Sequence, residues 1–123
     1  MDVTTPLSER LNRYLDLSSV ELQLTAANMA NVDTPGYRTK GLDFAAEMGR
    51  ALNSSGSGQA GTDAGGPRVF DVDGLLERPD GNNVSMDREG LNMAQTQLQF
   101  RTGVELLKHE YSRILDAIHE DAK

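Results

Sequence analysis

Residues Leu24–Lys40 read LTAANMANVDTPGYRTK, a stretch that begins with the spacing of a helix and ends with the residues of a turn. Pro35 biases Thr34 away from helical angles, and Asn is poor inside a helix because its amide competes for backbone hydrogen bonds. Asn31 and Thr34-Pro35-Gly36 therefore read as helix termination. Asn28 does not, because it lies a full turn earlier. Three residues apart, Asn28 and Asn31 share one side of the helix, and a buried Asn in a helical interface fixes register at some cost in stability. Spacing alone leaves two readings open: punctuation, or a pair of amides that sets how helices stack and where the chain leaves the bundle.

Upstream of this stretch, Thr5-Pro6 makes a helix start, with Thr as cap and Pro at the first helical position. From there Leu11, Leu15, Ser18, Leu22, Thr25, Met29 and Val32 recur at spacings of four and three, a 3.5-residue seam weakened by two hydroxyl positions. A second apolar row, Leu17, Val20, Leu24 and Ala27, lies on another side of the same helix. A helix with two apolar rows usually has two neighbours, so this row is expected to lack a mate within the subunit and to meet another molecule.

Downstream, Gly41–Leu52 reads as a short helical segment. Asn53–Pro67, NSSGSGQAGTDAGGP, is Gly/Ser-rich without a bulky apolar residue and is expected to be flexible. The alternation at Val69–Val72 and the turn signals Asp73-Gly74 and Pro79-Asp80-Gly81 predict a small hairpin or extended loop. Ser85 then caps a second long helix, with Asp87 and Glu89 well placed in its first turn. Met93, Gln97, Phe100, Val104, Leu107, Tyr111, Ile114 and Ile118 step alternately by four and three, the clearest periodicity in the chain.

The expected fold is therefore mainly α: an elongated antiparallel helical hairpin, coiled-coil-like, with a flexible and partly extended connector. Residues 1–34 form the N-terminal axial helix, 35–84 the turn, short helix, linker and extended loop, and 85–123 the C-terminal axial helix. At ~1.5 Å per residue the second helix is on the order of 50 Å long. Hydrophobic residues are only 37% of the 123, with 12 Gly and no Trp, so little is available for a compact interior. A lone subunit is expected to be marginally stable, gaining its full stability on assembly.

Composition and spacing also narrow the function. A formal charge of -7, from 19 acidic residues against 12 Lys+Arg, disfavours a nucleic-acid partner. Without Cys, disulfides, thiolate zinc sites and thiol catalysis are excluded. MDVTTPLSERL shows no cleavable secretory signal. His109 and His119 sit among carboxylates, but a zincin helix needs His four residues after the first, where Arg113 stands. Asp71–Gly74, DVDG, opens like a calcium loop, yet that register puts Leu76 at the glycine position and Asn82 at the final glutamate. No nucleophile elbow or phosphate loop is present either. No catalytic, cofactor-binding or metal-binding residue is expected, no cofactor, and no small-molecule substrate.

The residues themselves say more than the spacing. ANMANVDTPGYR resembles the N-terminal signature of bacterial flagellar axial proteins, the rod and hook family, which runs approximately Ala-Asn-x-Ala-Asn-x-x-Thr-Pro-Gly-Tyr followed by a basic residue. Ala27, Asn28, Ala30, Asn31, Thr34, Pro35, Gly36, Tyr37 and Arg38 match it. The small size, KGLDFAAEM, RPDGNNVSMDRE and QLQFRTGVELLKHEYSRILDAI are similar to the short proximal rod members. The resemblance implies a structural, non-enzymatic subunit of the basal-body rod that assembles through its terminal helices, transmits torque and lines the export channel. It implies a periplasmic site reached through flagellar type III export without signal cleavage. Implied partners are other copies of the subunit, the rod protein FlgC, FliE and the export-gate proteins. By this reading Asn28, Asn31 and Thr34, Pro35, Gly36 and Tyr37 fix packing register and chain exit, and Asn82-Asn83 do the same where the chain returns to the bundle. Leu17, Val20 and Leu24, with Phe100, Val104, Leu107, Tyr111, Ile114 and Ile118, supply assembly contacts. The alternative is a cytoplasmic helical export chaperone or adaptor.

Overall fold

A computed structural model describes residues 4–56 and 66–122. Thr5 opens the first helix as the sequence suggests: its hydroxyl accepts from the Ser8 amide at 3.1 Å, and Ser8 Oγ accepts from the Thr5 amide at 2.9 Å. This reciprocal cap satisfies two otherwise orphaned donors and launches α1, Pro6–Ala30. At the far end the Asn31 amide donates to the Ala27 carbonyl at 2.8 Å. The chain then turns through Gly36, whose φ of 74° suits a residue without Cβ.

Ser85 caps the last helix by accepting from the Arg88 amide. That helix, α3, runs Met86–Asp121. Between the two lie β1, Lys40–Leu42, α2, Phe44–Gly56, and β2, Val69–Asp71. The strands pair antiparallel, Lys40 opposite Asp71 and Leu42 opposite Val69.

Two expectations change here. The helical segment expected from Gly41 begins only at Phe44, because Lys40–Leu42 is taken up by the strand ladder and Asp43 accepts from the Ala46 amide to start the helix. The Val69–Val72 alternation does form a strand, but its partner lies far upstream rather than in a local hairpin. A long-range ladder outcompetes a local turn once α1 offers β1 a surface to rest on. Of the Gly/Ser stretch expected to be flexible, residues 57–65 lie outside the described residues.

α1 and α3 pack antiparallel as the main contact of the molecule. The helices meet in rungs one heptad apart on both: Tyr14 with Gly103, Glu21 with Thr96, and Asn28 with Glu89. A fourth contact closes the end, where Thr5 Oγ1 donates to Glu110 at 3.1 Å. A Cβ on Gly103 would stand 2.8 Å from Leu15 Cδ2, so glycine lets the helices approach closely at that rung.

This ladder corrects the seam on α3. The buried line is Glu89, Thr96 and Gly103, with Met93, Phe100, Leu107 and Ile114 half-buried beside it. The other half of the expected seam is turned outward: Gln97, Tyr111 and Ile118 are exposed and Val104 is half-buried. Apolar periodicity missed the true line because its members are polar or have no side chain.

The interior follows the same rule. Among the described residues only Leu17 and Val84 are buried hydrophobics, against ten buried polar or charged residues. Leu17, at 7% exposed, is therefore enclosed within the subunit rather than left without a mate. α2 covers this side of α1, Tyr14 meeting Phe44 edge to face at 5.2 Å. Leu24 lines a cleft between α1, the ribbon and α3. Among the described residues, no helix is long and apolar enough to cross a membrane.

Candidate functional site

The signature stretch and the turn before α3 fold onto each other as one polar clasp. Asn28, at the end of α1 and 1% exposed, uses its whole amide. Its Nδ2 donates to the Lys40 carbonyl at 2.8 Å and to Glu89 Oε2 at 3.1 Å. Its Oδ1 accepts from the Lys40 amide at 2.9 Å and from the Tyr37 hydroxyl at 3.1 Å. One side chain thus ties α1 to the first residue of β1, to the turn and to α3. An amide with donors and an acceptor is the side chain that can satisfy both the N–H and the C=O of a single residue, here Lys40.

Glu89 completes the arrangement from α3. It is 1% exposed, and its second oxygen accepts from Arg88 Nη1 at 2.7 Å. A buried carboxylate needs such partners to offset its desolvation.

A second asparagine pair works from the other side. Asn83 Oδ1 accepts from the Thr39 amide at 2.7 Å and from its hydroxyl at 2.9 Å, joining the start of the ribbon to the start of α3. Asn82 Nδ2 donates to the carbonyls of Asn31 and Thr34 at 2.9 and 2.8 Å, and its Oδ1 accepts from the Val84 amide at 2.9 Å. Asn82 therefore caps the carbonyls left free where α1 ends. The turns touch through backbone as well: the Gly36 amide donates to Asp80 at 2.9 Å, and a Cβ on Gly81 would lie 3.4 Å from Gly36 Cα. Arg38 pairs with Glu77 at 2.9 Å, both half-exposed.

The two asparagines of the signature thus do different work. Asn28 is a buried clasp within the subunit. Asn31, half-buried, holds Ala27 and accepts from the Thr34 hydroxyl at 3.0 Å, which is helix punctuation. Thr34, Pro35 and Gly36 are exposed on the turn, and Tyr37 reaches inward to Asn28. Glu89 reads from sequence only as a first-turn acid and Thr39 carries no signal there, since their roles here depend on partners more than forty residues away.

The apolar residues divide too. Leu17 is enclosed, Val20 and Leu24 are half-buried, and Phe100, Leu107 and Ile114 lie beside the helix contact. Exposed on α3 stand Leu91, Leu98 at 67% exposed, Leu106 and Leu115, which sequence periodicity passed over, and Tyr111 and Ile118, which belong to the periodic row. Because Glu110 already meets Thr5, the last residue before α1, the final turns of α3 project beyond α1. His109 and His119 are exposed on α3.

Glu21 stands apart electrostatically. Burial pushes its carboxyl above the usual range, partly offset by a hydrogen bond from Thr96.

No family model matches the chain. Curated relatives do. The flagellar basal body rod protein FlgB of Borrelia hermsii is 30% identical, over 84% of this chain and 88% of its own length. FlgB of Salmonella typhimurium is 30% identical over 85% of this chain and 86% of its own length. FlgB of Cereibacter sphaeroides is 34% identical over 85% of this chain and 87% of its own length.

Proposed function

Because the chain belongs to the family of the flagellar basal body rod protein FlgB and is by that membership a structural rod subunit, we propose that it builds the proximal rod through its two terminal helices. The observation that carries this reading is the set of large apolar side chains exposed on α3, with Leu91 and Leu98 one heptad apart on its outward face and Leu106 and Leu115 on other sides further along, on a helix that outruns its intramolecular partner. A subunit whose interior is mostly polar and whose last helix exposes several leucines is arranged for assembly rather than for life alone.

In this proposal the helix pair carries axial load and the clasp holds the connector at a fixed angle to it. Asn28 and Tyr37, with the Thr34–Gly36 turn, set where the chain leaves the bundle. Val20 and Leu24, and on α3 Val104, Tyr111 and Ile118, lie at the edges of the contacts to neighbours, with Phe100, Leu107 and Ile114 supporting the helix pair beneath them. The neighbours are other copies, FlgC, FliE and the export-gate proteins; the assembled helices line the export channel and pass on torque. The subunit reaches its periplasmic position by flagellar type III export without signal cleavage, and it performs no catalysis. The division of the chain into axial helices 1–34 and 85–123 around a connector 35–84 belongs to the same proposal. No observation favours a cytoplasmic adaptor.

Deletion of the gene tests this reading. Non-motile cells whose membrane rings lack a rod, restored by the intact gene, are the expected result. Motile cells with complete basal bodies overturn it.

A further inference from the structure

Glu21 is the only charged residue in the last fourteen positions of α1, LSSVELQLTAANMA. It lines a cleft of about 190 Å³ between α1, the β1–β2 ribbon and α3. The cleft's other charges are matched: Arg88 pairs with Glu89, and Lys40 with Asp71. Glu21 has only a neutral hydroxyl, that of Thr96, and no cation among the described residues. The ribbon side of the cleft is apolar, with Leu42, Phe70 and Val72, and Leu24 adds to the apolar lining from α1 itself. A carboxylate partly removed from water without a counter-ion costs stability, and such a local conflict marks a functional position more often than a structural one.

A slot with an apolar wall and one uncompensated carboxylate fits a long basic side chain, stem against the wall and head on the acid. The chain itself supplies a candidate. Arg10 and Arg13, three apart on α1 and both exposed, are the one pair of neighbouring arginines without a carboxylate partner among the described residues. Copies that each carry a charge of -7 repel one another on average, so a specific cation-to-acid contact would orient their approach.

We propose that this cleft receives the guanidinium of Arg10 or Arg13 from a second copy of the chain, with Glu21 as its counter-ion. The contact is heterologous, one surface meeting a different surface, and propagates into a filament instead of closing a dimer. For parallel neighbours the eight to eleven residues between donor and acceptor set an axial stagger of about 12–17 Å. The inference rests on the rod reading above and deepens it by naming a contact between copies.

The test complements a gene deletion with variants and counts rods in imaged basal bodies. E21Q keeps an acceptor for Thr96 and removes the charge; it is expected to lower rod number about tenfold, the scale of one closely matched charge pair, while the purified subunit melts no lower than wild type. R10E/R13E is expected to show a similar loss. E21R combined with R10E/R13E is expected to recover most of the rods that either change alone removes. Wild-type rod numbers in E21Q, or a reversal combination no better than its parents, overturns the proposal. These outcomes are distinct from failure of the rod reading, in which the deletion itself leaves swimming intact.

Discussion

Replacing Asn28 by Ala removes a side chain that satisfies four groups: the Lys40 N–H and C=O, the Tyr37 hydroxyl and one oxygen of Glu89. At about 1 kcal/mol net per hydrogen bond the loss is roughly 4 kcal/mol. The better helix propensity of Ala returns about 0.5 kcal/mol. A net cost of about 3–4 kcal/mol is a large share of the roughly 5–15 kcal/mol typical of a small domain. Asn31→Ala should cost under about 1 kcal/mol, because its amide bonds only its own helix and the adjacent Thr34. In urea unfolding of the purified subunit, followed by far-UV circular dichroism, the Asn28 variant should lose roughly 1.5–2 M in midpoint at an ordinary slope. Asn28→Asp gives a further check, since it keeps both acceptor contacts but turns a carboxylate toward Glu89 and should be worse at neutral pH than in mild acid. Equal losses for Asn28→Ala and Asn31→Ala, within about 0.5 kcal/mol, would show that the buried amide is no clasp and refute the reasoning.

Gly103→Ala should destabilise the subunit by about 1–3 kcal/mol in the same assay despite improving helix propensity, because the new Cβ falls 2.8 Å from Leu15 and 3.0 Å from Tyr14. Asn83→Ala should cost about 2–3 kcal/mol by leaving the buried Thr39 amide without its acceptor, and the amide exchange rates of Thr39 and its ribbon neighbours should rise together. Since the folded-state pKa of Glu21 lies above its unfolded value, the native state binds that proton more readily. The contribution of Glu21 to stability should therefore rise as pH falls from neutral through the raised pKa and level off below the ordinary one. Melting curves of wild type and Glu21→Gln should converge on acidification.

The long helices were legible because capping is a local matter: Thr5-Pro6 and Ser85 announce their helices, and the structure uses both. The membership was legible for a related reason, since Ala27–Arg38 is a contiguous motif. The contact line between the helices was hidden. Its α3 members are Glu89, Thr96 and Gly103, and a search for apolar residues at 3.5-residue spacing selects their neighbours. Pairing of Val69–Asp71 with Lys40–Leu42 was hidden because a three-residue strand carries little pattern and its partner is set by tertiary contacts. Asn28 stood out for the right reason, being too early for a helix stop, but its partners became visible only when Lys40 and Glu89 were brought beside it. The two asparagines of the signature are a clasp and a helix end.

The most direct measurement uses the absence of Cys from the chain. A single Leu98→Cys substitution on the outward face of α3 provides a thiol whose maleimide labelling rate is compared in the purified subunit and in isolated basal bodies. Fast labelling of the free subunit and strong protection in the rod is the predicted result, because Leu98, exposed at 67% in the monomer, becomes covered on assembly. Equal labelling in both, with the variant present in the rod, would contradict assembly through this face of α3.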